Sequence, residues 1–401
     1  MKIIMGYFTA FFFFTIIVLP QENRENKDDF TVNESFINGI LPNGLDIEFG
    51  YTSDFWSNVS PGNSGIIYLD NFNLDFSFDF ETLTGWNGGG LFLSILGNNG
   101  KDPNEQIGSI QGIDNIAAFS TWKVYQLYVT QEFADGKLSL LAGLLDLNSE
   151  FDVCESSGVF INPSHGIGPD YSLTGQNGPS IFPVTSLAFR VLYNFDKNWN
   201  FRAAVFDGVP GDPDDPRGTK IKFGKDDGAL ISSELTFQSN DNNYFKYSIG
   251  GWYYTAKNET VTGKLKTGNS GLYFSGEKSI FKSEDGQCLT PFVRIGFANS
   301  EVNQVNSYYG AGINYSGLFG REDDILGLAI AVAHNNSAFM SELAKDDVFI
   351  KSNEINFEFT YSLSMLEYIS IQPDLQYVIN PTDGDQSKNY LIAGVRLNLT
   401  F

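Results

Sequence analysis

From about residue 44 onward the chain is a succession of segments of roughly ten residues in which apolar and polar side chains alternate, the period of a β-strand with two unlike faces. In "NFNLDFSFDFE", Phe72, Leu74, Phe76, Phe78 and Phe80 share one face, and Asn73, Asp75, Ser77, Asp79 and Glu81 share the other. The same parity opposes Arg190 to Phe189 and Val191, Arg202 to Phe201 and Ala203, and Arg294 to Val293 and Ile295. It opposes Glu234 to Leu235, Glu354 and Glu358 to Phe357 and Phe359, and Asp374 to Leu375. Runs such as "NNGKDPNEQ", "DGVPGDPDDPRG" and "NPTDGDQSKN" separate the segments, and their Gly, Pro, Asn and Asp favour turns and loops. Strand follows strand with no helical period between, so the sheet is antiparallel.

A half-buried strand of a secreted β-sandwich carries the same period, so alternation alone leaves two architectures open. Three features favour a membrane barrel. Lys2, the apolar run Ile3 to Leu19 and the polar "QENRENKDD" describe a secretory signal peptide over residues 1–20, followed by a short flexible acidic lead-in at 21–39. The segments have the length of a tilted membrane crossing, and no later stretch of about 18 apolar residues offers a helical one. Several apolar stripes close on an aromatic (Phe80, Tyr193, Tyr377, Phe401), as in the girdles of outer-membrane barrels.

The expected fold is therefore all-β: a transmembrane antiparallel β-barrel of about 16 strands over residues 40–401, with an inward-folded constriction loop. That strand number goes with a water-filled channel. The segment from Val153 to Phe182 is the expected constriction loop, with Phe160, His165 and Tyr171 as pore-facing candidates. Trp122 falls on the inward parity, but its place near a strand end suits the interfacial girdle better, as does that of Trp86.

Composition narrows the function. Lys plus Arg is 25 against 48 Asp plus Glu, a net charge of −23, which repels nucleic acid. A channel for polar solutes needs hydrogen-bond partners rather than a nucleophile, a metal or a cofactor. Arginine supplies five donors in a rigid fork, carboxylates accept protons from solute hydroxyls, and aromatic faces cover C–H surfaces. The inward parity holds Arg190, Arg202, Arg294 and Arg396 with Glu234, Glu354, Glu358 and Asp374, and Gln126 and Tyr128 join them as candidate pore-lining residues. A Ser-His enzyme built from His334 and Ser337 lacks an evident third group. Asp212, Asp214 and Asp215 lack the spacing of a calcium loop. Cys154 and Cys288, far apart in sequence, are either a disulfide or two free thiols.

Several blocks together resemble the carbohydrate-selective porin (OprB) family. They include "FETLTGWNGGGLFLSIL" at 80–96, "VYQLYVTQEFADGKLSLLAGLLDLNSEFDV" at 124–153, "FINPSHGIGPD" at 160–170 and "AAVFDGVPGDPDDP" at 203–216. "YGAGINYSGLFGREDDILGLAIA" at 309–331 and "ISIQPDLQYVINPTDG" at 369–384 follow in order. The resemblance implies a 16-stranded barrel, single or homotrimeric, in the outer membrane of a Gram-negative-type bacterium, passing mono- and oligosaccharides by diffusion. Where the family often carries acidic residues in the block around "YQLYVTQ", Gln126 and Thr130 hold the inward parity here, so constriction charge is expected to differ. A general or peptide- or anion-selective porin, and a structural or adhesive barrel, are the alternatives.

The chain ends "LIAGVRLNLTF", with Leu391, Ala393, Val395, Leu397, Leu399 and Phe401 on the face expected to meet outer-membrane lipid and Arg396 and Asn398 opposite. A terminal aromatic resembles the signal read by the barrel-assembly machinery. Deleting Phe401 is expected to lower the yield of folded barrel while folded molecules still conduct. Heat-modifiable mobility in gels and single-channel recording check both halves, and a normal folded yield would refute the role.

Overall fold

A computed structural model describes residues 41–60, 65–239, 244–283 and 286–401; the expected signal peptide and lead-in lie outside the described residues. The first eight strands are β1 (Leu45–Asn58), β2 (Ile67–Asp79), β3 (Gly89–Gly100), β4 (Thr121–Phe133), β5 (Leu138–Leu145), β6 (Ser186–Asn194), β7 (Trp199–Asp207) and β8 (Ala229–Ser239). The rest are β9 (Phe245–Glu259), β10 (Leu265–Lys278), β11 (Cys288–Ala298), β12 (Val305–Ser316), β13 (Ile325–Asn335), β14 (Asn353–Leu366), β15 (Ile369–Ile379) and β16 (Tyr390–Thr400). A two-residue piece, Phe281–Lys282, continues β10 along the same neighbour, β11.

Each strand pairs antiparallel with its sequence neighbours, and β16 pairs with β1 from Gly50↔Thr400 to Asn58↔Ile392. The 16 strands thus close into a barrel with no open edge. Closure settles the choice left open by alternation, and so does the distribution of side chains. Along β14, Phe357 and Phe359 point outward, 41% and 47% exposed, while Glu354 and Glu358 point inward and are buried. A soluble sandwich would bury the phenylalanines, whereas a barrel in lipid turns them out.

The two ends of the barrel differ. Short turns lie at one end, including residues 134–137, 195–198 and 367–368. Long loops lie at the other, among them 101–120, 146–185, 208–228 and 336–352. In outer-membrane barrels the short turns are periplasmic and the long loops extracellular. The short-turn end carries an aromatic belt: Trp199 stacks on Phe237 at 4.5 Å, Phe80 on Trp86 at 5.4 Å, and Tyr368 on Phe401 at 4.8 Å. Trp86 caps a one-turn helix, α1 (Phe80–Thr84), whose first amides are taken by Asp79 and which Gly85 ends at φ 78°.

Trp122 departs from its expected parity. The β3–β4 register shifts between Ser94 and Ile95, leaving one extra residue on β4 between Val124 and Gln126. Gln126 and Tyr128 stay inward, while Trp122 turns outward, 65% exposed, onto the Phe72 ring at 5.1 Å. A single β-bulge reverses the faces of the residues before it, so the girdle position is the one observed.

At the seam, Asp54 of β1 lies directly opposite Arg396 of β16. Arg396 Nη2 reaches Asp54 Oδ2 at 2.7 Å, and Nε donates to the same carboxylate at 3.0 Å. Both side chains are buried, so removing one leaves an unpaired charge. Arg396→Met is expected to destabilise the barrel by about 3–5 kcal/mol, and the double variant Asp54→Leu with Arg396→Met by less. Urea unfolding in detergent micelles checks the order, and equal stability of Arg396→Met and the parent protein would remove the seam pair from any structural role.

Candidate functional site

Two extracellular loops fold back into the lumen. A loop there has no sheet partner for its peptide groups, which must find hydrogen bonds on the wall. The β5–β6 loop, residues 146–185, finds them on inward side chains of β4 to β15. It begins at Asp146, whose amide donates to Gln126 Oε1 at 3.0 Å and whose carboxylate accepts from Tyr125 Oη at 2.5 Å. Glu150 then pairs with Arg190 Nε at 2.7 Å, and Arg190 also donates to the Ser139 carbonyl at 3.0 Å. Arg202 donates to the Glu150 carbonyl and stands 3.9 Å from Glu234. Glu234 accepts the Asp152 amide at 2.8 Å.

Arg294 is the hub of the middle of the loop. It pairs with Asp152 at 2.7 Å, and donates to the Gly166 carbonyl at 2.8 Å, the Asp152 carbonyl at 2.9 Å and the His165 carbonyl. Carboxylates hold the amides: Glu277 accepts from Glu155 at 3.0 Å and Ser156 at 2.6 Å, and Glu358 from Ile161 at 2.5 Å and Asn162 at 3.1 Å. The sorting is chemical, since guanidinium only donates and carboxylate only accepts.

Phe160, His165 and Tyr171 do not form a pore-facing surface. All three are buried between loop and wall. Tyr171, in the short helix α2 (Pro169–Ser172), stacks on Trp252 at 5.1 Å. Phe160 lies 4.8 Å from the His165 ring and 5.7 Å from Phe292. The loop packs closely because the wall there is small: a Cβ on Gly327 would come within 2.8 Å of the Phe160 ring. Burial, with Arg294 nearby, pushes the His165 imidazole down to about 3, so it is neutral near pH 7. Burial, with Asp152 nearby, pushes the Asp170 carboxyl up to about 8.

The β3–β4 loop, residues 101–120, is the second insertion, and it reads in sequence as an ordinary turn-rich connection. Glu354 takes its turn, accepting from Ser109 Oγ at 2.6 Å, Ile110 N at 3.0 Å and Gln111 N at 3.1 Å, and also from Thr382 N at 2.6 Å. Asp114 accepts from Trp56 Nε1 at 2.6 Å and from Arg396 at 3.2 Å. Gln376 Nε2 donates to the Ile113 carbonyl at 2.8 Å. Ile107 and Ile113 are buried with Trp56, Leu69 and Val378. The available signal was the run Ile107, Ile110, Ile113, Ile116: exposed loops have little reason to carry an isoleucine at every third position.

Eight of the ten candidate lining residues are therefore buried at the loop–wall contact: Arg190, Glu234, Arg294, Glu354, Glu358, Arg396, Gln126 and Asp374, the last bonded to Gln376 at 3.2 Å. Tyr128 and Arg202 keep partial exposure. Other inward residues with exposure include Glu48, Asp75, Ser77 and Phe92 toward the short-turn ends of β1 to β3, Thr130 of β4, and Asn314 of β12.

The remaining candidates have separate partners. His334 Nδ1 meets Asn353 Oδ1 at 2.7 Å, not Ser337. Lys222 lies 2.7 Å from Asp212 and 3.7 Å from Asp214, and Lys220 pairs with Asp215, so the acidic loop meets lysines. Cys154 and Cys288 are free thiols with neighbours of their own, Cys154 near Glu277 at 3.6 Å and Cys288 near Ser279 at 3.3 Å.

Comparison with known proteins bears on this arrangement. Residues 63–401 match the family model described as carbohydrate-selective porin, OprB family. Porin B of Pseudomonas aeruginosa is 24% identical over 90% of this chain and 88% of its own length. The putative porin QuiX of Acinetobacter baylyi is 22% identical over 86% of each. Among solved structures, the high-pH form of Pseudomonas putida OprB superposes with a TM-score of 0.78 at 21% identity, covering 89% of this chain and 94% of that one. Its low-pH form gives 0.61 at 17% identity over 92% and 97%.

Glu354→Ala is expected to release the β3–β4 loop. Trypsin added outside proteoliposomes should then cut after Lys101 in a barrel that is otherwise resistant, and equal protection of variant and parent would count against the latch.

Proposed function

The chain belongs to the OprB family of carbohydrate-selective porins and is a carbohydrate-selective porin of the Gram-negative outer membrane, a passive channel rather than an enzyme, and we propose that sugars pass between the two infolded loops and the wall made by β1 to β7. The observation that carries this reading is the division of the inner face. The polar side chains facing the loops are consumed by backbone hydrogen bonds, whereas Glu48, Asp75, Ser77, Phe92, Tyr128 and Arg202 remain open to the lumen.

Tyr128 and Arg202 are then the candidate lining residues that touch solute. Arg190, Glu234, Arg294, Glu354, Glu358, Asp374, Arg396 and Gln126 act one step back, setting the shape of the passage by fixing the loops. Mixed charge at the open wall suits neutral polyols: each hydroxyl exchanges water for a donor or an acceptor without the tight hold that would stop transit. The outward apolar face meets lipid, and Phe401 in the periplasmic aromatic belt is available to the assembly machinery.

Liposomes containing the folded protein are expected to swell in glucose and in disaccharides, and more slowly as the oligosaccharide lengthens. Arg202→Ala should lessen the discrimination between them. Demonstrably folded protein that leaves liposomes impermeable to glucose would overturn the reading.

A further inference from the structure

On the open part of the wall, one pair of side chains is unlike the rest of the inner face. Phe92 of β3 and Tyr128 of β4 are direct cross-strand partners pointing inward. Their rings stack at 5.2 Å with 27° between planes, and both keep partial exposure. Tyr128 rests in part against the apolar cluster between the β5–β6 loop and the wall, whereas Phe92 belongs to no buried cluster among the described residues. Polar groups lie nearby on β2 and on the loop. Ser77 pairs across the strands with Phe92, and Asp75 is the next inward residue on β2. Glu150 and Arg190, bound to each other, lie with Asp75 within electrostatic reach of the Tyr128 hydroxyl.

The next inward position after Tyr128 is Gly143 of β5, at φ 149°. A Cβ there would fall 2.5 Å from the Tyr128 Cα, so the strand approach requires glycine at this position. The result is a stacked aromatic pair that keeps partial exposure on the lumen wall, with Ser77 exposed and Asp75 half-buried on the neighbouring strand.

We propose that Phe92 and Tyr128 form a stacking platform for a pyranose ring, with Ser77 and Asp75 of β2 taking hydroxyls beside it. The proposal rests on the sugar-channel reading and adds a discrete subsite to it. An aromatic face covers the C–H face of a six-membered sugar and leaves equatorial hydroxyls for charged partners. An open-chain polyol has the same hydroxyls but no ring face to stack.

The test is current block in planar bilayers, read as a fraction of each variant's own open current, with folding checked by heat-modifiable mobility. Glucose and maltose should block the parent channel saturably. Phe92→Ala and Tyr128→Leu should raise the half-blocking concentration about tenfold, Phe92→Trp should restore it, and any weak block by sorbitol should stay the same. Unchanged half-blocking concentrations in folded Phe92→Ala and Tyr128→Leu overturn the platform. So does an equal loss for sorbitol, or sugar permeation in the parent without any saturable block. A parent channel that neither swells liposomes in sugar nor shows block overturns the porin reading itself, a result distinguishable from the others.

Discussion

A bilayer offers no water to an unpaired peptide group, so every strand that crosses it must be paired on both sides. The ladder between β1 and β16 meets that constraint for the whole molecule, because the other pairings would still leave two bare edges. Asp54 and Arg396 face each other on the lumen side of this seam, and the same guanidinium also reaches Asp114 and Asn115 of the β3–β4 loop. Closing the barrel and filling it are thus linked through one side chain. A buried arginine can serve both because its planar fork presents five donors in fixed directions.

Filling poses the opposite problem to closing. Two loops enter a lumen wide enough for water, and their amides and carbonyls lie away from any sheet. The wall meets them with charge of both signs: Glu234, Glu277, Glu354 and Glu358 for the amides, Arg202 and Arg294 for the carbonyls. Small inward residues, among them Gly312, Gly327, Ala329 and Ala331, let the loop side chains sit close to the sheet. What solute meets is the remainder, a wall on which Arg202, alone of those anchoring arginines and carboxylates, both holds a loop carbonyl and keeps exposure. Selectivity in such a channel is set where anchoring ends.

Much of this was legible beforehand in the alternation. The strand positions, the outward apolar face and the inward parity of the arginines and carboxylates follow from a period of two, which local geometry imposes on any strand. The number of strands is bounded by the length of the chain, because each crossing and its connection consume a fixed stretch of residues. Where parity misled, at Trp122, the cause is the one-residue bulge near Tyr125, which no periodicity can show. A long loop after a strand suits a constriction and so points Phe160, His165 and Tyr171 to the pore, but rings on such a loop turn toward the wall, where burial favours them. The infolding of the β3–β4 loop is not visible in its composition, because its Gly, Pro and Asn content is that of an ordinary turn.

By itself, the sequence determined which residues face lipid and which face the lumen, and hence a closed antiparallel barrel, because side-chain direction along a strand is a local property. Only the tertiary structure decided which lumen residues touch solute. Arg190 and Arg202 have the same parity and the same chemistry, yet one is buried against Glu150 and Ser139 and the other keeps exposure. That difference depends on where loops distant in sequence come to rest. Their resting place is set by the pairing of backbone groups with side chains up to hundreds of residues away, as when Glu354 holds the amides of Ile110 and Gln111.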